Sequence, residues 1–272
     1  MKRLSKYQNF IFDKLFWIFT YVVYGTSLGV TLAFARYFWT DVLYQQVIII
    51  LLSYFIFIHA FVLTIGICKR IFQRKLVVGK IPVGLNKDYL AFALNSVFHG
   101  IFFTSPVAGQ VGIIFYLTAL YYRLMGMKIG ISNIIGTGTL IRQPELISLG
   151  EKTVIGIGSI LSCHYSPNGK THVQGKITVG KHSLIGAYSQ LAPDTTVGDN
   201  VVIGNRSIIF SDVRIGNNVK IGMGCRIEYG VTIPDNVTIK SYSVIKRSDQ
   251  IKSGETWGGS PAELLRKGDN DE

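Results

Sequence analysis

Four side chains in one short stretch could carry chemistry. His164, His172 and His182 follow one another at spacings of eight and ten, and Cys163 adjoins the first. An imidazole takes up a proton near neutral pH and serves as a general base. Three imidazoles can hold zinc, and a thiol beside an imidazole can become a nucleophile. The thiol reading is weak, because neighbouring residues on a strand point to opposite faces, which makes Cys163 a buried filler beside an outward His164. Between these histidines lies Ser166-Pro-Asn-Gly-Lys170, a turn-rich stretch that reads as a loop leaving the body of the fold. A loop on a rigid scaffold is where a site is sought.

The scaffold is written in the spacing of aliphatic residues. From Val179 they recur at every sixth position: Ile185, Leu191, Val197, Ile203, Ile209, Ile215, Ile221, Ile227, Ile233, Ile239 and Ile245. Four residues after each of these up to Ile239 stands Ser, Thr, Val or Cys, and Gly or Ala often follows the aliphatic residue. A period of six is neither helical nor simply alternating. It is the hexapeptide repeat of a parallel β-helix, three hexads to a coil, with the aliphatic side chain inside and the small one beneath the next coil. The register extends back through Leu161, Ile155 and Leu149, and a looser set at Ile147, Ile141, Ile135 and Ile129 marks an opening turn with a two-residue slip. The prism therefore spans 128–247. The eighteen residues between Leu161 and Val179 equal a whole coil, so a degenerate coil through Pro167 and Val173 competes with the projecting loop, which we favour.

Ahead of the prism the chain changes character. Its mean hydropathy is +0.33 with only 16% charged residues, and its net charge of +12 is concentrated at the front: residues 1–127 carry 12 Lys+Arg against 3 Asp+Glu. No charge interrupts Leu15–Ala35 or Val42–Cys68, each long enough to cross ~30 Å of hydrocarbon as a helix. Lys2, Arg3, Lys6 and Lys14 precede the first span, Arg36 alone lies in the link, and six cations follow the second, between Lys69 and Lys87. The positive-inside rule then places both termini and the prism in the cytoplasm. A cleaved signal peptide ending at Ala33-Phe-Ala35 is the competing reading, disfavoured by the long basic lead and the second span. Tyr89–Tyr122 is a third uncharged stretch, broken by Thr104-Ser-Pro-Val-Ala-Gly109 into halves short for a span and read as interfacial or re-entrant, with a transmembrane hairpin as the alternative. His59 and His99 within the apolar segments are read as neutral imidazoles bonded between helices. Cations set in so apolar a context fit lipid headgroups better than nucleic acid, which is not expected as a partner. Three dispersed cysteines without CxxC fit a reducing compartment.

The repeat from 128 to 267, closing in Gly258-Gly-Ser-Pro-Ala262, resembles the hexapeptide-repeat acyltransferases. YYRLMGMKIG, LISLGEKTVIG and LSCH, between Tyr121 and His164, are similar to the membrane-attached members associated with peptide-synthetase-like proteins. The resemblance implies a mainly β fold, a left-handed parallel β-helix, here preceded by an α-helical membrane region (1–127) and followed by a loop, short helix and tail (248–272). It implies a homotrimer and acetyl-CoA as acyl donor, with no metal. It implies a histidine before an I-x-V-G repeat as general base, the place His164 occupies ahead of Lys176-Ile-Thr-Val-Gly180, with His172 as rival or orienting residue. Gly186-Ala187 are nominated to hold the oxyanion by backbone N–H groups. For CoA two places compete, the turn carrying Gly204, Asn205 and Arg206, and the end carrying Lys246 and Arg247, with Arg266 or Lys267 beside it. Tyr242 stands there where the family has Gly. Relatives of this prism include zinc hydratases, but the histidine spacings and the lack of an upstream R-x-D element disagree with them.

These features together predict a multi-pass protein of a bacterial inner membrane that moves acetyl to a hydroxyl of a carbohydrate or lipid-linked glycan at the cytoplasmic face. A non-enzymatic trimeric scaffold and a metal hydratase are the alternatives.

Overall fold

The computed structural model describes residues 2–267, with side chains from Phe10 onward. Lys2, Arg3 and Lys6, read above as topology signals, and the tail 268–272 therefore lie outside the described side chains. The described chain forms two compact units: helices from 2–75 and 84–125, and a β unit made of 76–83 with 126–267.

In the helical unit α1 runs Lys2–Phe38 and α2 runs Leu43–Phe72. Among the described residues, Phe10–Phe38 and Leu43–Phe72 are long and apolar enough to cross a membrane. The first extends its expected span at both ends, and the second begins one residue later than expected and runs four residues further. Val23, Phe61, Val62 and Ile65 are buried where the helices pack, whereas Trp17, Tyr21, Ile50, Leu51 and Phe55 face outward. The third uncharged stretch becomes three short helices, α3 (Lys87–Phe103), α4 (Val107–Ile113) and α5 (Phe115–Leu124), with an 85° bend between α3 and α4 at the Ser-Pro break. Asn86 caps α3, its Oδ1 accepting from the N–H groups of Asp88 and Tyr89. Gly66 lets α5 approach α2, since a Cβ there would stand 2.6 Å from Leu124 Cβ.

Two polar groups tie this unit together. Lys69, one of the six cations after the second span, is buried, and its Nζ donates to Asn95 Oδ1 at 2.6 Å and to Met125 O at 2.8 Å. It is thus a strut between α2, α3 and the end of α5. His59 donates from Nδ1 to Phe55 O at 2.8 Å, and its Nε2 lies 2.7 Å from the Tyr116 hydroxyl, a bond between α2 and α5. His99 is buried and stacks on Phe103.

The β unit is the parallel β-helix the period of six predicts. Its described strands fall on three faces of eight, six and five strands. Ile135, Ile155, Ile185, Ile203, Ile221 and Ile239 stack inside the first face; Ile141, Leu161, Leu191, Ile209, Ile227 and Ile245 inside the second; Leu149, Val179, Val197, Ile215 and Ile233 inside the third. Residues three after each aliphatic adopt left-handed backbone with φ of 54–63° from His182 to Tyr242, Gly224 and Gly230 excepted at 66° and 71°. The small residues do more than fill space. Ser207, fully buried, donates to Gly222 O at 3.0 Å and accepts from Cys225 N–H at 3.2 Å, so a side chain joins the backbone ladder between coils.

Three departures from strict repetition have physical causes. The two-residue slip is a 3₁₀ turn, Pro144–Leu146, that takes up the extra residues between Ile141 and Leu149. Within the eighteen residues after Leu161 the chain leaves the prism as a β-hairpin, His164–Asn168 and Thr171–Gln174, and the degenerate coil is not formed. Gly79–Pro82 adds a third, antiparallel strand to that hairpin, with Ile81 opposite His172. Finally, the short C-terminal helix expected after the prism is instead a hairpin, Thr256–Gly259 with Ala262–Arg266. Thr256 and Trp257 continue the stack on Thr238 and Ile239, and the chain then reverses to pair with itself, covering an edge that a helix would leave with open hydrogen-bonding groups.

Two substitutions test this account. Ile209→Ala, in the centre of the stack, should cost about 2–5 kcal/mol by cavity formation. Ser207→Ala should cost about 1–3 kcal/mol by leaving the Cys225 N–H without its acceptor. Urea unfolding of each should show a lower midpoint at unchanged slope.

Candidate functional site

The prism has three edges, and the sequence-nominated residues are distributed among them. His164 and His172 belong to the edge that follows the six-stranded face, because the hairpin leaves after Leu161 and returns at Ile177. Lys246 and Arg247 follow Ile245 on the same edge, four strand steps or ~19 Å along the axis. Gly186, Ala187, Gly204, Asn205 and Arg206 follow the eight-stranded face on a second edge, and His182 lies on the third.

The structure therefore separates residues the sequence grouped. The Gly186 N–H donates to Ile203 O at 2.7 Å, and the Ala187 N–H to Asn205 Oδ1 at 2.9 Å. Both nominated oxyanion donors are committed to the coil stack, and so is the Asn205 side chain. Gly204 is a packing glycine, since a Cβ would lie 2.5 Å from Gly222 C. Arg206 is a left-handed turn residue, φ 59°, whose N–H donates to Ala187 O. These five residues build the prism, on a different edge from the histidines. His182 is likewise an exposed turn residue at φ 54°, away from the other two. Among the described residues no three His, Cys, Asp or Glu side chains converge as a metal set.

What the structure brings together is a pair of imidazoles and a glutamine. The hairpin is closed at its base by the Gly175 N–H donating to Cys163 O at 2.9 Å, and at its tip by Asn168 Oδ1 accepting from the N–H groups of Lys170 and Thr171. Across it the rings of His164 and His172 stack with centroids 5.0 Å apart. His164 is half-buried, and its Nδ1 donates to Gln143 Oε1 at 2.8 Å. That bond fixes the tautomer and puts the lone pair on Nε2. His172 is buried, with Nδ1 3.1 Å from Ser166 Oγ.

Gln143 is the residue sequence reasoning missed. It is 1% exposed, holds φ 44°, and stands immediately before the 3₁₀ turn at the slip. The slip was visible as a break in register, but only the coil stack shows that the break faces the hairpin. An amide in this position orients the ring without the negative charge that would favour an imidazolium. The electrostatics agree: burial, then the neighbouring His172 and the Arg142 guanidinium, hold His164 down to about 4 from its ordinary 6.5, and burial lowers His172 as well. Cys163 is fully buried, and burial, with the Glu145 and Asp194 carboxylates adding, pushes its thiol far above its usual range. It is buried filler as expected, although it sits at the bend between two strands and not on one.

A titration checks this arrangement. In histidine-labelled protein the His164 ring should remain neutral well below pH 6 and protonate near 4, and Gln143→Glu should move the midpoint up. Because the folded-state value lies below the unfolded one, the stability contributed by neutral His164 is whole above about 6.5 and is lost as the pH falls toward 4. A midpoint at 6.5 in the folded protein would refute the burial and the tautomer together.

With this geometry in hand, the chain can be set beside known proteins. No match was found among curated proteins. Solved structures similar to part of the chain include the following three. PerB from Caulobacter crescentus, in complex with CoA and GDP-perosamine, is 18% identical over 56% of this chain and 68% of that one, TM-score 0.42. AntD, an N-acyltransferase from Bacillus cereus in complex with dTDP and coenzyme A, is 21% identical over 50% and 81%, TM-score 0.42. The acetyltransferase domain of PglB from Neisseria gonorrhoeae is 19% identical over 55% and 63%, TM-score 0.42. The family model described as bacterial transferase hexapeptide (six repeats) matches residues 176–211 and 212–247, so the regular part of the prism is a run of bacterial transferase hexapeptide repeats.

Proposed function

We propose that the protein is a membrane-anchored, CoA-dependent acyltransferase that moves acetyl from acetyl-CoA to a hydroxyl of a carbohydrate or lipid-linked glycan at the cytoplasmic face. The observation that carries this reading is a neutral, oriented imidazole, His164, held by Gln143 on the edge of a transferase-type hexapeptide prism. Nε2 of His164 takes the proton of the acceptor O–H as the oxygen attacks the thioester carbon. The C–O bond forms, the C–S bond breaks, and the proton passes to the departing thiolate to give CoA-SH. An acceptor hydroxyl is a poor nucleophile at neutral pH, so a base that stays unprotonated is the group this step needs. Gln143 and His172 act as positioning residues for that ring.

For the donor, Lys246 and Arg247 are the nominated pair that shares the edge with His164. Arg247 lies over the Tyr229 ring, 5.6 Å from its centroid, which presents a cation and an aromatic face to a phosphorylated nucleotide end. An extended pantetheine laid along the edge would join this end to His164, and trimer assembly with a neighbouring prism would supply the other wall of the cleft. The anchor supports the acceptor class: a prism continuous in chain with two span-length apolar helices works where amphiphilic acceptors are concentrated.

The test is transfer of labelled acetyl from acetyl-CoA into a membrane glycolipid extract by the full-length protein in detergent. His164→Ala, with unchanged thermal unfolding, should lower the rate by about 10²–10⁴. Lys246→Ala/Arg247→Ala should raise KM for acetyl-CoA with little change in kcat. No label together with no acetyl-CoA binding would replace the enzyme with the scaffold reading.

A further inference from the structure

The helical unit holds a groove that the reading of the prism does not use. It has a volume of about 440 Å³ and is lined by Phe72, Leu90, Ala91 and Leu94, with Arg74 and Lys87 completing the wall. Phe72 ends α2, and the chain then turns back so that α3 begins beside it. The turn is fixed by Gln73, whose Nε2 donates to Ala91 O at 2.9 Å and to Arg74 O at 2.8 Å, and by the Asn86 cap on α3. The groove is therefore built by defined bonds at the end of a span-length helix.

A lining of four apolar side chains and two cations calls for an occupant that is both apolar and anionic. Four apolar side chains would gain nothing from a free phosphate, and two cations would gain nothing from a neutral hydrocarbon. The surrounding charge has one sign: between Asp41 and Glu145 the chain carries nine Lys+Arg and one acidic residue, Asp88. One of the nine, Lys69, is occupied as an internal strut, and Arg74 and Lys87 are the two that wall the groove. An aqueous surface would not retain so apolar a cleft beside so many cations, whereas the interfacial layer of a bilayer supplies a phosphate and a chain in one molecule.

We propose that this groove is a binding site for a phosphate-headed membrane lipid, with the headgroup between Arg74 and Lys87 and the first part of its chain against Phe72, Leu90 and Leu94. This rests on the embedding of the helices in a membrane and not on acetyl transfer, so the two can fail separately. If the acceptor is carried on such a lipid, the groove is where the carrier is held.

Native mass spectrometry of the full chain released from detergent tests it, using dioleoyl phosphatidic acid, dioleoylglycerol and inorganic phosphate as probes. Phosphatidic acid should be retained, the other two not. Arg74→Gln/Lys87→Gln should weaken retention about 30-fold, while Arg70→Gln/Lys75→Gln, which removes equal charge outside the groove, should change it less than about threefold. Leu94→Trp, filling the groove, should abolish retention in a protein of unchanged unfolding temperature. Equal retention of phosphatidic acid and dioleoylglycerol would overturn the proposal. So would equal loss in the two charge pairs, which would mean diffuse attraction, and so would binding of inorganic phosphate alone.

Discussion

The constraint on which the β unit depends is the equality of its coils. Backbone N–H and C=O groups of one coil are spent on the next, about 4.8 Å away, so each coil must present the same residues in the same places. Eighteen residues satisfy this, whereas a coil of seventeen or nineteen would put the next coil's residues out of register. Extra residues must therefore exit at an edge. The chain contains two such excesses, the Pro144–Leu146 turn and the hairpin from His164 to Gln174, and both leave at the same edge on consecutive coils. The candidate site is where the repeat is broken twice.

That origin accounts for the chemistry of the pair. Residues within the repeat have their backbone, and often their side chains, engaged in holding coils together. Ser183, Ser189 and Ser207 bridge neighbouring coils, and Asp199, Asn217 and Asp235 each accept from the preceding coil through Oδ1. Gln143 and His164 stand at the two excesses, and their bond joins them. The amide supplies orientation without charge, burial removes the proton, and the ring is left neutral across the physiological range.

The helical unit obeys a different rule. Its polar contacts are made between and within helices, as Lys69 donates to Asn95 and Met125 O, and His59 bonds Phe55 O and Tyr116. Cations counted as topology signals are thus of two kinds, one turned inward as a strut and others left at the surface, and a count of charges along the chain cannot distinguish them.

The amino-acid sequence by itself determined the period of six, and with it the β-helix and its core residues, because a short-range repeat forces every coil into the same bond pattern. It also determined the two long apolar helices, since length and lack of charge decide what can span hydrocarbon, and it located the loop and His164. Tertiary structure alone decided which edge each nominated residue occupies. Edge identity depends on the residue count modulo eighteen, and two insertions reset that count between Ile141 and Val179. For that reason Gly186, Ala187, Gly204, Asn205 and Arg206 looked like neighbours of the histidines along the chain and became structural members of another edge. For the same reason Gln143, twenty-one residues before His164, became its hydrogen-bond partner. The closing segment turned back as a hairpin and not a helix because the last coil's open edge, which no local propensity reports, needed a strand.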